Sequence, residues 1–300
     1  MDIADKLQRF IFENAPVRGE HVRLQASYQT IIQQHDYPPA LKKLLGEALC
    51  ATVLLSAIIK FKGRLTLQFR GKGKLKLLLA QSDNNFNLRA LAKWSGEMTF
   101  DELMESFNEG VLVIMLDGGA QKGQYQGIVA WRGNSLVESL EGYFRESEQL
   151  ATKIWMEVTE TTVVGYLLQA VPNAGVADHV IENELIAPHW DHIMKLTSKM
   201  YPIDLLTIDC TSLLTLLYQD EVIRVFPSID VRFGCTCSRQ RGADAIRILG
   251  QEEAESEIKD KQSIVVTCDF CNEEYIFDRV DVAKIFQEDN NNPPTDIHLH

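Results

Sequence analysis

Four cysteines fall close together near the C-terminal end of the sequence. Cys235 and Cys237 stand in "FGCTCSRQRG", Cys268 and Cys271 stand in "TCDFCNEEYIF", and thirty residues separate the two pairs. Two tight thiol pairs on separate turns are how a chain builds four tetrahedral thiolates around zinc, with Zn–S distances of about 2.3 Å. The C-x-x-C half has the strand–knuckle–strand form of a zinc-ribbon half-site. The C-x-C half is tighter, because both side chains must turn inward within three residues. Four thiolates outweigh the charge of one dication. Arg232, Arg239 and Arg241 lie near enough in sequence to offset the excess by hydrogen bonding to the sulfurs. A purely structural zinc site is one reading of this pattern. A thioredoxin-like dithiol fits poorly, since no βαβ context surrounds "CDFC".

The same four residues can also make a switch. Thiolates that lose their metal are free to pair. Pairing within each half would close loops of three and four residues, worth roughly 2 kcal/mol each in chain entropy. The zinc they would replace contributes on the order of 10–16 kcal/mol in small zinc modules. Oxidation of that kind exchanges a clamp across the module for two local links, and the module should unfold. A thiolate near arginines is also a reasonable target for an oxidant.

The rest of the composition narrows the setting. The chain has 300 residues, which predicts two domains with room for a sizeable core. Its net charge of −12 argues against a duplex nucleic-acid binder, which wants a basic footprint. The opening "MDIADKLQRFIFENAPVRGE" has no signal-peptide form. The longest apolar run, residues 49–59, is too short to span a bilayer. A cytoplasmic location is expected, where stable structural disulfides are rare. The remaining cysteines, Cys50 and Cys210, read as core residues, and His189 and His192 as helix-surface residues. No nucleotide loop, nucleophile triad or acid–base pair stands out, so no enzyme activity is expected.

An α+β chain must position these thiols. Residues 1–177 read as an N-terminal domain of mixed sheet and helix, 178–232 as a helical connector, 233–288 as a small zinc-binding domain, and 289–300 as a polar tail. In the first, residues 40–59 have the apolar spacing of a buried helix. Residues 60–80 alternate strictly, with Lys and Arg on even positions and Phe and Leu on odd ones. That predicts a strand pair turning at Gly71–Gly73 with one basic face, either solvated or a docking surface for an acidic partner. Further strands are expected at 111–117, 124–131 and 154–159, a helix at 135–149 capped by Ser135, and a buried strand before Pro172. The connector reads as helices interrupted by Pro188 and Pro202. In the small domain, a helix starts after Ser238 and stops at Gly250, "EEAESEIKD" is an exposed acidic piece, and two strands flank "CDFC" before a final helix.

"CTCSRQR", followed at long range by "CDFCNEEYIFDRVDV", resembles the redox-regulated heat shock protein 33 chaperone family. The resemblance extends to "LLGEALCATVLLSAIIKFKGRLTLQFRGKGKLKLLLA", "YQGIVAWRGNSLVESLEGYFRESEQL" and "EVIRVFPSIDVRFGCTCSR", and so to nearly the whole chain. "YFRESEQL", residues 143–150, is particularly characteristic. The resemblance implies an ATP-independent holdase. Reduced, it would hold one Zn(2+) per chain through Cys235, Cys237, Cys268 and Cys271 and be inactive. Oxidants would form the disulfides Cys235–Cys237 and Cys268–Cys271 and release the zinc. The module and the connector would then loosen and bind unfolding proteins. Ile181, Leu185, Ile186, Trp190, Ile193 and Leu196 are the candidate client-binding residues, and a homodimer is expected when oxidised. Some members carry a further cysteine where this chain has Gly242. The competing expectation is a constitutive zinc ribbon that binds RNA or protein, with Lys60 to Lys76 as its basic face.

Overall fold

A computed structural model describes residues 5–59, 61–108, 110–117, 125–133, 135–171 and 179–291. The chain divides into two compact units at the Gly234–Cys235 bond.

The first unit opens with an antiparallel pair, β1 (Lys6–Phe12) and β2 (Val17–Leu24). A short helix, α1 (Ala26–Ile32), leads to α2 (Pro39–Ile58). Pro39 suits the first turn of α2, where its missing N–H would have no helical partner. The helix is apolar on most sides because it touches strands of both sheets of the unit. Then come β3 (Arg64–Arg70), β4 (Leu75–Asp83), β5 (Asn87–Trp94), α3 (Phe100–Asn108), β6 (Val111–Asp117) and β7 (Tyr125–Val129). Helix α4 (Leu136–Tyr143) runs into a π-helical turn at Phe144–Glu148. Strands β8 (Thr152–Val158) and β9 (Val163–Ala170) pair with each other, and β9 also pairs with β2. Three helices follow, α5 (His179–Thr197), α6 (Pro202–Thr207) and α7 (Cys210–Leu217). The unit closes with β10 (Ile223–Val225), β11 (Ile229–Asp230) and β12 (Arg232–Phe233).

One sheet has the order β10-β1-β2-β9-β8, with β11 also on β1, and the other has the order β12-β5-β4-β3-β6-β7. The main core holds Leu7, Val22, Leu41, Leu45, Leu49, Leu65, Leu67 and Phe69. A second core holds Phe10, Phe12, Tyr166 and Leu168 together with Ile193, Leu205, Leu213, Leu214 and Leu217 of the helices. Strand β9 feeds both cores with alternate residues, which is why every one of its residues is buried. The fold is α+β, as expected from the sequence.

Several local expectations are corrected. The alternation of residues 60–80 holds through β3 and Leu75, but the register shifts between Leu75 and Leu77. Inward positions then fall on Leu78, Ala80 and Ser82 rather than on Leu77 and Leu79, as an extra residue in a strand demands. Pro188 lies inside a continuous α5 and does not interrupt it, while Pro202 opens α6. Residues 223–225 form a strand on β1, where a helical stretch was expected. The helix expected at 135–149 becomes α4 and its π-helical turn. Ser135 Oγ does accept from Glu138 N, at 3.3 Å.

The second unit begins with α8 (Arg239–Leu249), capped by Ser238, whose Oγ accepts from Arg241 N at 3.3 Å. Gly250 turns the chain at φ 97° into α9 (Gln251–Lys261). "EEAESEIKD" is therefore helical, and it buries Ala254 and Ile258. Strands β13 (Ser263–Thr267) and β14 (Glu274–Asp278) form an antiparallel pair, and α10 (Arg279–Asn291) extends past residue 288. The core of this unit is small: Ala243, Ile246, Ala254, Ile258, Ile264, Phe277, Val282 and Ile285.

Candidate metal centre

The two cysteine pairs are brought together by different local devices. Cys268 and Cys271 occupy the turn between β13 and β14. Cys268 N donates to Glu273 O at 2.9 Å, and Asn272 N donates to Cys268 O at 2.8 Å. Asn272 takes φ 56° to close this knuckle, a conformation that Asn tolerates better than most residues. Cys235 and Cys237 lie in the irregular stretch just before the Ser238 cap of α8.

The four sulfurs lie within 4.8 Å of one another. Cys235 Sγ is 3.6 Å from Cys268 Sγ, and Cys237 Sγ is 3.4 Å from Cys271 Sγ. A tetrahedral thiolate-bound zinc has sulfur–sulfur edges of about 3.8 Å, so the donor set fits a single ion with small adjustments. The four cysteines are free thiols, half-buried. These close approaches run between the halves. Among the described residues, no other group of His, Cys, Asp and Glu side chains converges in this way.

The thiols are not equivalent. Burial pushes the Cys235 and Cys271 thiols up from the ordinary range. Cys237 is drawn down, first by the Tyr275 hydroxyl, which donates to its sulfur at 3.3 Å. Sequence reasoning missed Tyr275. The signal was its place on β14 two residues before Phe277, so that both point to the same side of the hairpin.

Two of the three arginines have other partners. Arg239 donates to Ile276 O at 2.8 Å, pairs with Asp281 at 2.7 Å, and lies over the Phe277 ring at 4.5 Å. Arg241 donates to Thr236 Oγ1 at 2.6 Å. Arg232 lies on β12, in the first unit. Of the residues singled out in the connector, Ile193 is buried in the second core, with Trp190 and Leu196 packed against it. The side chains of Ile181, Leu185 and Ile186 lie outside the described residues. His192 bonds Glu221 at 2.8 Å, and His189 is exposed. Cys50 and Cys210 are buried, and burial pushes both thiols up, Cys210 to about 12. Neither is part of the centre. No helix among the described residues is long and apolar enough to cross a membrane.

Known proteins are similar to this chain over nearly its whole length. The family model of the Hsp33 protein matches residues 5–278. The "33 kDa chaperonin" of Nitrosococcus oceani is 40% identical over 295 residues, covering 98% of this chain and 99% of its own. The protein of the same name from a Shewanella species is 39% identical over 287 residues, covering 95% and 96%. The crystal structure of the 33 kDa chaperonin (heat shock protein 33 homolog) from Thermotoga maritima has the same fold. Its TM-score is 0.79 at 21% identity, over 96% of this chain and 99% of that one. The family match and the two relatives, each spanning almost the full length, lead to one conclusion: the chain belongs to the Hsp33 family.

Proposed function

We propose that this chain is a redox-regulated, ATP-independent holdase that binds unfolding proteins and keeps them from aggregating. The observation that carries the reading is the cluster of Cys235, Cys237, Cys268 and Cys271 within 4.8 Å. It ties the chain before α8 to the β13–β14 knuckle, in a unit whose own apolar core is small. A Zn(2+) ion held by four thiolates supplies a cross-link there and no redox chemistry of its own. The relatives' shared name, chaperonin, supports the client-binding half of the reading.

In the reduced state the thiolates hold the module closed and the chain is inactive. Peroxide takes two electrons from each thiolate pair and is itself reduced to water, leaving disulfides Cys235–Cys237 and Cys268–Cys271. A disulfide sulfur is no longer a thiolate donor, so the zinc is released. Neither disulfide spans the two halves, and the module loses its clamp. Apolar residues of 178–232, Trp190, Ile193 and Leu196 among them, then become available to clients, and oxidised chains pair as homodimers. The setting is the cytoplasm, and no chemical turnover is involved.

The test is to treat the reduced, zinc-loaded chain with hydrogen peroxide at mildly raised temperature. Zinc release, the disulfide map and the aggregation of a chemically unfolded client are then followed. Zinc release with the two local disulfides and suppressed aggregation is the expected result. Zinc loss with unchanged client aggregation would defeat the chaperone reading. Zinc retained under oxidant, with RNA bound, would favour a constitutive ribbon.

A further inference from the structure

We propose that Tyr275 tunes the four-thiol centre: its hydroxyl strengthens Cys237 as a metal ligand and slows the attack of Cys237 on peroxide. This deepens the redox reading above and rests on it. The Tyr275 hydroxyl donates to Cys237 Sγ at 3.3 Å. The ring that carries it is held independently of the sulfur. Tyr275 sits opposite Val266 in the β13–β14 ladder and packs against the core of the second unit. On its other side it faces α8, where a Cβ built on Gly242 would lie 3.6 Å from Tyr275 Cβ. The ring therefore fills space whether or not it bears oxygen, and the hydroxyl is the part that reaches the thiol.

A donor aimed at a thiolate has two consequences. Hydrogen bonds to a ligand atom fix its orientation, and losing such a partner typically costs 10–100-fold in metal affinity. The same bond withdraws electron density from the lone pair that would attack an oxidant. In that attack the Cys237 sulfur bonds one peroxide oxygen, the O–O bond breaks, and hydroxide leaves, giving a sulfenic acid. Cys235 thiolate then displaces hydroxide from that sulfur to close the disulfide. Two electrons pass from the thiolates to peroxide. The Tyr275 hydroxyl opposes the first of these steps and leaves the Cys268–Cys271 pair alone.

Tyr275→Phe in the full chain separates hydroxyl from ring. Competition with a chromogenic chelator in reducing buffer should show zinc held about tenfold more weakly. With zinc kept saturating in parent and variant alike, so that Cys237 is a bound thiolate in both, alkylation and mass spectrometry under hydrogen peroxide should show Cys237 consumed several-fold faster than in the parent, with Cys268 consumed at an unchanged rate. Val266→Ala trims the packing beside the ring without touching a sulfur, and should leave the Cys237-to-Cys268 rate ratio at the parent value. The inference falls if Tyr275→Phe matches the parent within twofold in both measurements. It also falls if both thiol pairs accelerate equally, since that marks a packing role. A parent chain that binds no zinc, or binds it and forms no disulfide under peroxide, overturns the redox reading itself. A parent that does both while Tyr275→Phe is silent overturns only the role of Tyr275.

Discussion

Glu20 lies on β2 at 3% exposure, and its Oε2 has no hydrogen-bond partner. Burial pushes its carboxyl up to about 8, against the pull of Arg18 and Arg9 toward the charged form. The folded state therefore keeps a proton that the unfolded chain, titrating near 4.5, gives up. Its contribution is full below pH 4.5 and is lost as pH rises toward 8. Glu20→Gln cannot ionise and keeps the shape. Above pH 8 it should exceed the parent in urea-unfolding stability by at least about 1 kcal/mol, and the gap should shrink toward pH 5. A gap independent of pH would show that the carboxyl titrates normally in the fold. His21, next along β2, gives the opposite limb. Burial lowers its imidazole to about 4 from 6.5, so stability is lost as pH falls through that interval. His21→Gln should flatten this acid limb in the same titration, and an unchanged limb would remove His21 as its cause.

At the scale of elements, the helical layer α5–α7 is joined to the β1–β2–β9 sheet by apolar contacts, by Arg23, which donates to Leu206 O at 2.9 Å, and by a buried hydroxyl chain. Tyr218 Oη meets Tyr166 Oη at 3.0 Å and Thr197 Oγ1 at 2.7 Å, and Thr197 Oγ1 also donates to Ile193 O at 2.7 Å. Tyr218→Phe leaves the Tyr166 hydroxyl buried without this partner, a cost of about 1–3 kcal/mol. Hydrogen exchange should rise in α5, α7 and β9, while β3, β4 and β6 keep their protection. A uniform rise would mean that the layer is not a separable element. How these elements could be read from the sequence differs from one to the next. Helix α2 and strand β9 announce themselves through long apolar runs. Strands β10, β11 and β12 do not, because they are two or three residues long and owe their form to β1 and β5, far away in sequence. The shift after Leu75 is invisible for a related reason: leucines at 75, 77, 78 and 79 satisfy either parity. The thiol cluster was legible because each half is a local motif. The Tyr275 contact was not, because it depends on how the β13–β14 hairpin meets the chain before α8. Arg239 teaches the converse, since nearness to Cys237 in sequence leaves its guanidinium free to reach Ile276 and Asp281 instead.

For the whole molecule, the contrast between the two units decides what metal removal should do. The main core of the first unit draws on both sheets and α2, and the second core adds the helical layer. Among its described residues, the other unit buries eight apolar side chains, two of them alanines. Units this small rarely gain more than about 3–5 kcal/mol from their core and usually rely on a staple. A structural zinc site in a small module supplies on the order of 10–16 kcal/mol of apparent binding energy. With zinc as the staple of the proposed centre, its removal would turn the balance for residues 235–291 against folding, while the first unit's cores hold none of the four clustered cysteines. Chelation of the reduced chain, with no oxidant present, should therefore abolish hydrogen-exchange protection across α8, β13, β14 and α10. Protection in β2, β9 and α2 should persist, and added zinc should restore the lost part. Protection of the hairpin that survives chelation would mean that the small core suffices. In that case disulfide formation alone would have to do the unfolding. A loss that extends to α2 and β9 would mean that the metal supports the first unit as well, and the division at Gly234 would have no thermodynamic counterpart.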